Sequence, residues 1–269
     1  MLLEVAGLAR STFYYHQARM AAPDQQAPLK DAIRQVFWAA RGRYGHRRVH
    51  AVLRRDGLQV AKKTVLKLMR AQGLECRVRR RRRFNSFIGP VGEAAPNLLG
   101  RNFTTATPNS KWVTDVTEFH LGNKKLFLSP VLDLFDRSIV SYSLGPSPTV
   151  ELTATALREA ITTLEPGQHP LVHSDQGFQY RHASWKRTLT AAGATASMSR
   201  KATCLDNAVM ENFFGHLKSE MFHGHEFETI EALTTEIDDY MTWYNTERIS
   251  TTLGDLSPHQ YRQQTLTSH

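Results

Sequence analysis

Three acidic residues in the second half of the chain stand where chemistry can be done. Asp115 lies inside the apolar and β-branched run Trp112-Val113-Thr114-Asp115-Val116-Thr117. Asp175 follows the short apolar run Leu171-Val172-His173-Ser174 and precedes Gln176-Gly177, the kind of strand end at which open α/β sheets bind ligands. Glu211 sits on a helical pattern, with enough chain after Asp175 for a helix, a strand and a turn to bring the two together. Taken singly, each has an ordinary reading: a strand-end turn Asp, a capping Asp, a solvated Glu. Brought together, three carboxylates repel, so the arrangement demands divalent cations or raised pKa values. Hard oxygen donors with water completing the shell suit magnesium or manganese. Two such ions about 3.5–4 Å apart activate an attacking oxygen and stabilise a leaving one in phosphodiester displacement.

The elements that must position these residues are legible from periodicity. Met210, Phe213, Leu217 and Met221 form one apolar stripe, which predicts a helix that buries that face and carries Glu211 at its margin. Asp206 or Asn207 is expected to cap it, and Lys218 to point nearly the same way as Glu211. Upstream, 111–119 reads as a first strand, 126–133 as a second with Pro130 marking a bulge or edge, and 138–144 as a third. A helix over 149–164, a strand over 171–174, a helix over 182–192 and a strand over 194–199 follow. A last amphipathic helix carries Ile230, Leu233, Ile237, Tyr240, Met241 and Tyr244. This is an α/β layout with a mixed five-stranded sheet.

The front of the chain differs. The net charge is +9, yet residues 1–100 hold 20 Lys+Arg against 6 Asp+Glu. A basic first part before a mildly acidic second part points to nucleic-acid binding ahead of a separately folded module. Residues 29–75 predict three helices, with Leu29, Ile33, Val36 and Phe37, then Val49, Val52 and Leu53, then Val65, Leu68 and Met69 facing inward. On the third, Lys63, Lys67 and Arg70 line one side. That is helix-turn-helix logic, although a solvated basic face has the same pattern. Arg77 and the run Arg79, Arg80, Arg81, Arg82 and Arg83 repel one another and want phosphates. Gly89-Pro90-Val91-Gly92 reads as linker. Accordingly, 1–22 is expected to be a helical tail with Ser11 as a cap, 28–84 a small all-α DNA-binding domain, 85–100 a linker and 101–269 the catalytic core. No apolar run is long enough to cross a membrane, and the start lacks signal-peptide architecture. Cys76 and Cys204 form no zinc framework, which fits a reducing cytosol.

Trp112–Thr117, His173-Ser174-Asp175-Gln176-Gly177-Phe178-Gln179-Tyr180 and Asp206–Phe214 resemble the three acidic motifs of the DDE transposase and retroviral-integrase superfamily. More narrowly, the chain resembles the OrfB product of bacterial insertion sequences with two overlapping reading frames. Tyr44-Gly45-His46-Arg47-Arg48, Tyr244-Asn245-Thr246-Glu247-Arg248 and Leu256-Ser257-Pro258 are similar to that family's outer motifs. The resemblance implies a ribonuclease H-like core in which Asp115, Asp175 and Glu211 hold two Mg2+ or Mn2+ ions, with no zinc. It implies strand cleavage by water at the element's ends and strand transfer through the freed 3′-hydroxyl. Lys218 would contact DNA near the reacting phosphate, and His173, Asn207 and Asn212 would support the ligands or pack the helix. Expected partners are double-stranded DNA (terminal repeats and target), further copies of the chain on DNA and the upstream-frame OrfA product, in a bacterial cytoplasm at the nucleoid. Ser250 stands where many relatives have His. A catalytically inactive regulator of transposition, or a nuclease on the same fold, are the alternatives.

Overall fold

The computed structural model describes residues 9–21, 24–76, 94–200 and 204–267. The chain divides into two compact units, residues 1–76 and 77–269. In the first, helix α1 (Arg10–Ala21) precedes α2 (Ala27–Ala39), α3 (His46–Arg55) and α4 (Lys62–Ala71). The inward stripes expected of the last three form the core: Ile33, Phe37, Val49, Leu53, Val65, Leu68 and Met69 are all buried. Helix α3 ends at Asp56-Gly57, where Gly57 takes φ +86° and Leu58 N–H bonds back to Leu53 O at 2.9 Å. This is the left-handed termination that glycine permits. Ser11 lies inside α1 rather than capping it, and the neighbouring Phe13, Tyr14 and Tyr15 are exposed.

The second unit is built on one mixed sheet. Strand β3 (Lys124–Asp133) is its centre, buried along all but its first two residues. Along one edge it pairs antiparallel with β1 (Lys111–Thr114) and β2 (Thr117–Leu121), and along the other with β4 (Ile139–Gly145). Strand β1 then pairs in parallel with β5 (Leu171–Ser174), and β5 with β6 (Thr195–Met198). Between them run α5 (Val150–Ile161), the short α6 (Phe178–Arg181) and α7 (Ala183–Ala191). Helices α8 (Ala208–Leu217), α9 (Ile230–Thr246) and α10 (Pro258–Thr267) complete the unit. This is the ribonuclease H-like α/β class that the sequence implied.

The sheet has six strand segments where five were expected, because the first strand breaks at Asp115-Val116. The Asp115 carboxylate accepts the Val116 N–H at 2.8 Å, removing that donor from the ladder. Pairing resumes at Thr117, so Ser129 and Pro130 of β3 lie opposite the break. A bulge follows at once between Val131 and Leu132, which is the irregularity Pro130 foretold. Alternation along β1 divides the core. Val113 packs with Met210, Phe213 and Leu217 of α8 and with Ile237 and Tyr240 of α9. Trp112 packs with Leu157, Trp185 and Leu189 on the opposite face.

Candidate active site

The helix carrying Glu211 is docked by its apolar stripe. Met210, Phe213 and Leu217 are at most 2% exposed, and burial of side chains this size stabilises by about 1.5–3 kcal/mol each. Its entry differs from expectation. A 3-10 turn over Cys204–Asn207 leads into Ala208, and no side chain caps the helix. Asp206 does other work: its carboxylate is fully buried and receives Asn97 Nδ2 at 2.9 Å, Arg101 Nε at 2.7 Å, and Arg200 N, Nε and Nη2 at 3.0, 2.9 and 3.0 Å. Asn207 instead turns toward the strand break. Its Nδ2 lies 3.3 Å from the Asp115 carboxylate and 3.4 Å from Thr114 O.

These elements bring the three acids into one electrostatic neighbourhood. Burial pushes the Asp115 carboxyl well above the usual carboxylate range, and the negative charges of Asp175 and Glu211 push the same way. The Val116 N–H and Asn207 amide pull it back only in part. Burial also raises Asp175, against the Gly177 N–H that donates to it at 2.8 Å. Any side chain at Gly177 would displace the Asp175 or Gln179 side chain. A Cβ there would stand 2.9 Å from Asp175 Oδ1 and 2.7 Å from Gln179 Oε1. Glu211 is half-buried in the first turn of α8, where the helix dipole favours a carboxylate. Among the described residues, no three His, Cys, Asp or Glu side chains stand close enough to share an ion as they are. The donor set nevertheless fits a hard divalent cation: three mutually repelling, half-buried carboxylates with oxygen-only chemistry.

The supporting residues divide clearly. His173 is fully buried between the Ser197 and Ser199 hydroxyls, at 2.8 and 3.1 Å, and burial lowers its pKa to about 4. It is a neutral ring that ties β5 to β6 beside Asp175. Asn212 is exposed on α8. Lys218 begins a π-helical turn, Lys218–Phe222, and its Nζ lies 5.4 Å from the Phe119 ring centroid. Lys63, Lys67 and Arg70 lie on α4, all three exposed. Arg79, Arg80, Arg81, Arg82 and Arg83 lie outside the described residues.

Several residues around this site had no role assigned from the sequence. Tyr180 is buried against Trp185, its hydroxyl facing those of Thr114 and Ser129 behind the carboxylates, with no hydrogen bond closed among the three. Its signal in the sequence was its place at the end of the motif His173–Tyr180. Glu220, in the π-helical turn, is buried beneath Arg248, which grips it at 2.7 and 2.8 Å, and beside the Tyr240 hydroxyl at 2.8 Å. Asn245 mimics a strand by bonding both Ile139 N and Ile139 O at 2.9 Å. The outer motif Tyr244–Arg248 therefore clamps the core from within. Arg262 likewise reaches from α10 to the buried Asp133 and Asp136.

Known proteins carry the same parts. The chain matches the integrase core domain over residues 105–204 and again, by a second integrase core model, over 211–266; an HTH-like domain matches residues 23–82. It is 46% identical, over 98% of its length and 93% of the relative, to the protein named as transposase InsK for insertion sequence element IS150 of Escherichia coli (strain K12). It is 42% identical, over 95% of its length, to one named as a transposase for IS1353 of Shigella flexneri, of which it spans half. Identity to the IS904 transposase of Lactococcus lactis is 34%, over 87% of this chain and 93% of that one. Among solved structures, a simian T-cell lymphotropic virus intasome in complex with PP2A regulatory subunit B56 gamma aligns with TM-score 0.49 at 18% identity, over 75% of this chain and 66% of that one. The HTLV-2 integrase catalytic core in complex with magnesium aligns with TM-score 0.42 at 19% identity, over 57% of this chain and 96% of that one.

Proposed function

The chain belongs to the insertion-sequence transposases built on an integrase core domain, and from that membership we propose that it cuts DNA at the ends of an insertion sequence and joins the freed 3′-hydroxyl to a target phosphodiester. The observation that supports this reading most is the half-buried Asp115 carboxyl, raised by desolvation and by two acidic neighbours contributed from separate elements. Such a cluster is costly in a protein that makes no use of it. Asp115, Asp175 and Glu211 would hold two divalent ions, Mg2+ or Mn2+. Such ions, when bound, supply an activated oxygen nucleophile and charge stabilisation on the leaving oxygen.

The chain's own residues do the positioning. The Val116 N–H and Asn207 orient the Asp115 carboxylate, the Gly177 N–H orients that of Asp175, and α8 delivers Glu211 by its packed face. Lys218 stands on the turn that continues α8 and would meet DNA beside the reacting phosphate. In the helix-turn-helix-like unit, Lys63, Lys67 and Arg70 would face a DNA groove, with Arg79–Arg83 on flanking phosphates. Assembly as several copies on DNA, with or without an upstream-frame partner, belongs to the same proposal. Among the described residues no helix is long and apolar enough to cross a membrane.

The test is a strand-cleavage and joining assay on DNA carrying the flanking terminal repeats, with and without magnesium. Metal-dependent nicking followed by joined products supports the reading. Free ends without joined strands would indicate a nuclease, and binding without cleavage a regulator.

A further inference from the structure

Asp206 is over-neutralised. One buried carboxylate faces two guanidinium groups, Arg101 and Arg200, whose side chains remain 44% and 60% exposed. Arg200 gives Nε and Nη2 to Asp206, and Arg101 gives Nε alone. Among the described residues, both terminal nitrogens of Arg101 and Nη1 of Arg200 make no hydrogen bond. The pair therefore carries one surplus positive charge and outward donors, on side chains whose inner edges are fixed.

Their place in the fold is as informative as their charge. Arg200 follows Ser199, whose N–H bonds Ser174 O at 2.9 Å and whose carbonyl accepts Gln176 Nε2 at 3.0 Å. Both partners flank Asp175. Arg101 arrives because Leu98 and Leu99 N–H groups bond Ser197 Oγ, at 3.0 and 3.1 Å, laying that segment along β6. Asp206 itself adjoins Asn207, whose amide touches the Asp115 carboxylate. The two guanidinium groups thus border the acidic cluster from the β5–β6 side.

We propose that Arg101 and Arg200, held by Asp206, form a phosphate-binding pair that grips the DNA backbone beside the acidic cluster. A guanidinium whose orientation is already fixed loses little freedom on meeting a phosphate, and its planar fork matches phosphate geometry. Cationic groups at the rim of a three-carboxylate site also offset its repulsion toward a polyanion. The inference rests on the strand-transfer reading for its substrate, but its readout does not depend on catalysis.

The experiment measures binding of the full chain to a fluorescent DNA duplex of arbitrary sequence as a function of salt. Each phosphate neutralised contributes about 0.9 to the slope of log affinity against log salt. Arg200→Gln and Arg101→Gln are each expected to lower the slope by about that amount; because each also removes a partner of the buried Asp206 carboxylate, the melting temperature is expected to fall and is read in parallel to confirm that the variant is folded. Arg200→Lys, which keeps the charge and loses the fork, is expected to keep the slope and bind several-fold more weakly. Wild-type slopes in both Gln variants overturn the proposal. Should a Gln variant fail to fold, wild-type affinity in Arg200→Lys overturns it equally. If magnesium-dependent cleavage is intact while these slopes do not move, only this inference fails. If Asp115→Asn still cleaves, the functional reading fails, and the slopes are still interpretable.

Discussion

At the scale of single residues, the chain places like charges where burial makes them costly. Asp115 is the extreme case, raised by burial and by Asp175 and Glu211. Replacing it with Asn removes the charge while keeping the shape and an oxygen that can accept from Val116. Asp115→Asn is therefore expected to raise the melting temperature of the metal-free protein, by roughly 2–4 °C for each ~1 kcal/mol gained. Added magnesium should raise the wild-type melting temperature and leave that of the variant nearly unmoved; equal shifts in both would take Asp115 out of the metal site. Asp206 is the opposite case. Arg200, and then Arg101, hold its carboxyl well below the ordinary 3.8 despite its burial. A depressed carboxyl contributes stability that is present above the unfolded value and lost as pH falls through the folded one. Asp206→Asn should then cost about 2 kcal/mol near neutrality, the scale of hydrogen bonds to a charged group. The gap from wild type should begin to close below about pH 4 and shrink further as pH falls toward the folded carboxyl's much lower value, as urea unfolding across pH would show.

At the scale of elements, positions are set by packing and fine geometry by irregularities. Truncating Phe213 to Ala, at the centre of the face that α8 lays on the sheet, is expected to cost about 3–5 kcal/mol, measured by denaturant unfolding. Gly177→Ala should behave differently. Gly177 has φ −56° and ψ 149°, a backbone that any residue adopts, so the fault is confined to the added Cβ against Asp175 and Gln179. Strand cleavage should fall tenfold or more with a stability loss near 1 kcal/mol; undiminished cleavage would mean the loop tolerates the atom. The same division governs what the sequence disclosed. The stripes of α2, α3, α4, α8 and α9 and the short strand β5 were legible because burial follows periodicity. The break at Asp115-Val116 was not, since 111–119 contains no glycine or proline to mark it and the break is made by a side chain bonding its neighbour's N–H. Nor were the Asp206 hub and the Glu220–Arg248 pair, whose partners lie up to 109 positions apart in sequence. The cap read at Asp206 was a local rule overridden by a tertiary one.

At the scale of the whole molecule, charge and chemistry occupy different stretches of the chain. The basic surplus lies in residues 1–100, whereas the three carboxylates lie further along, at 115, 175 and 211. Affinity for DNA and catalysis on it should therefore separate under mutation. Changing Arg79–Arg83 to Gln is expected to flatten the salt dependence of DNA binding by up to about 0.9 for each phosphate no longer neutralised, across sequences alike; an unchanged slope would remove that run from the interface. The triad should show the reverse behaviour. The most direct measurement is cleavage and joining of terminal-repeat DNA with magnesium by Asp115→Asn, Asp175→Asn and Glu211→Gln, each compared with wild type for DNA binding in the same buffer. The account predicts that every one of the three abolishes cleavage while binding is largely kept, and a single variant cleaving at the wild-type rate would contradict it.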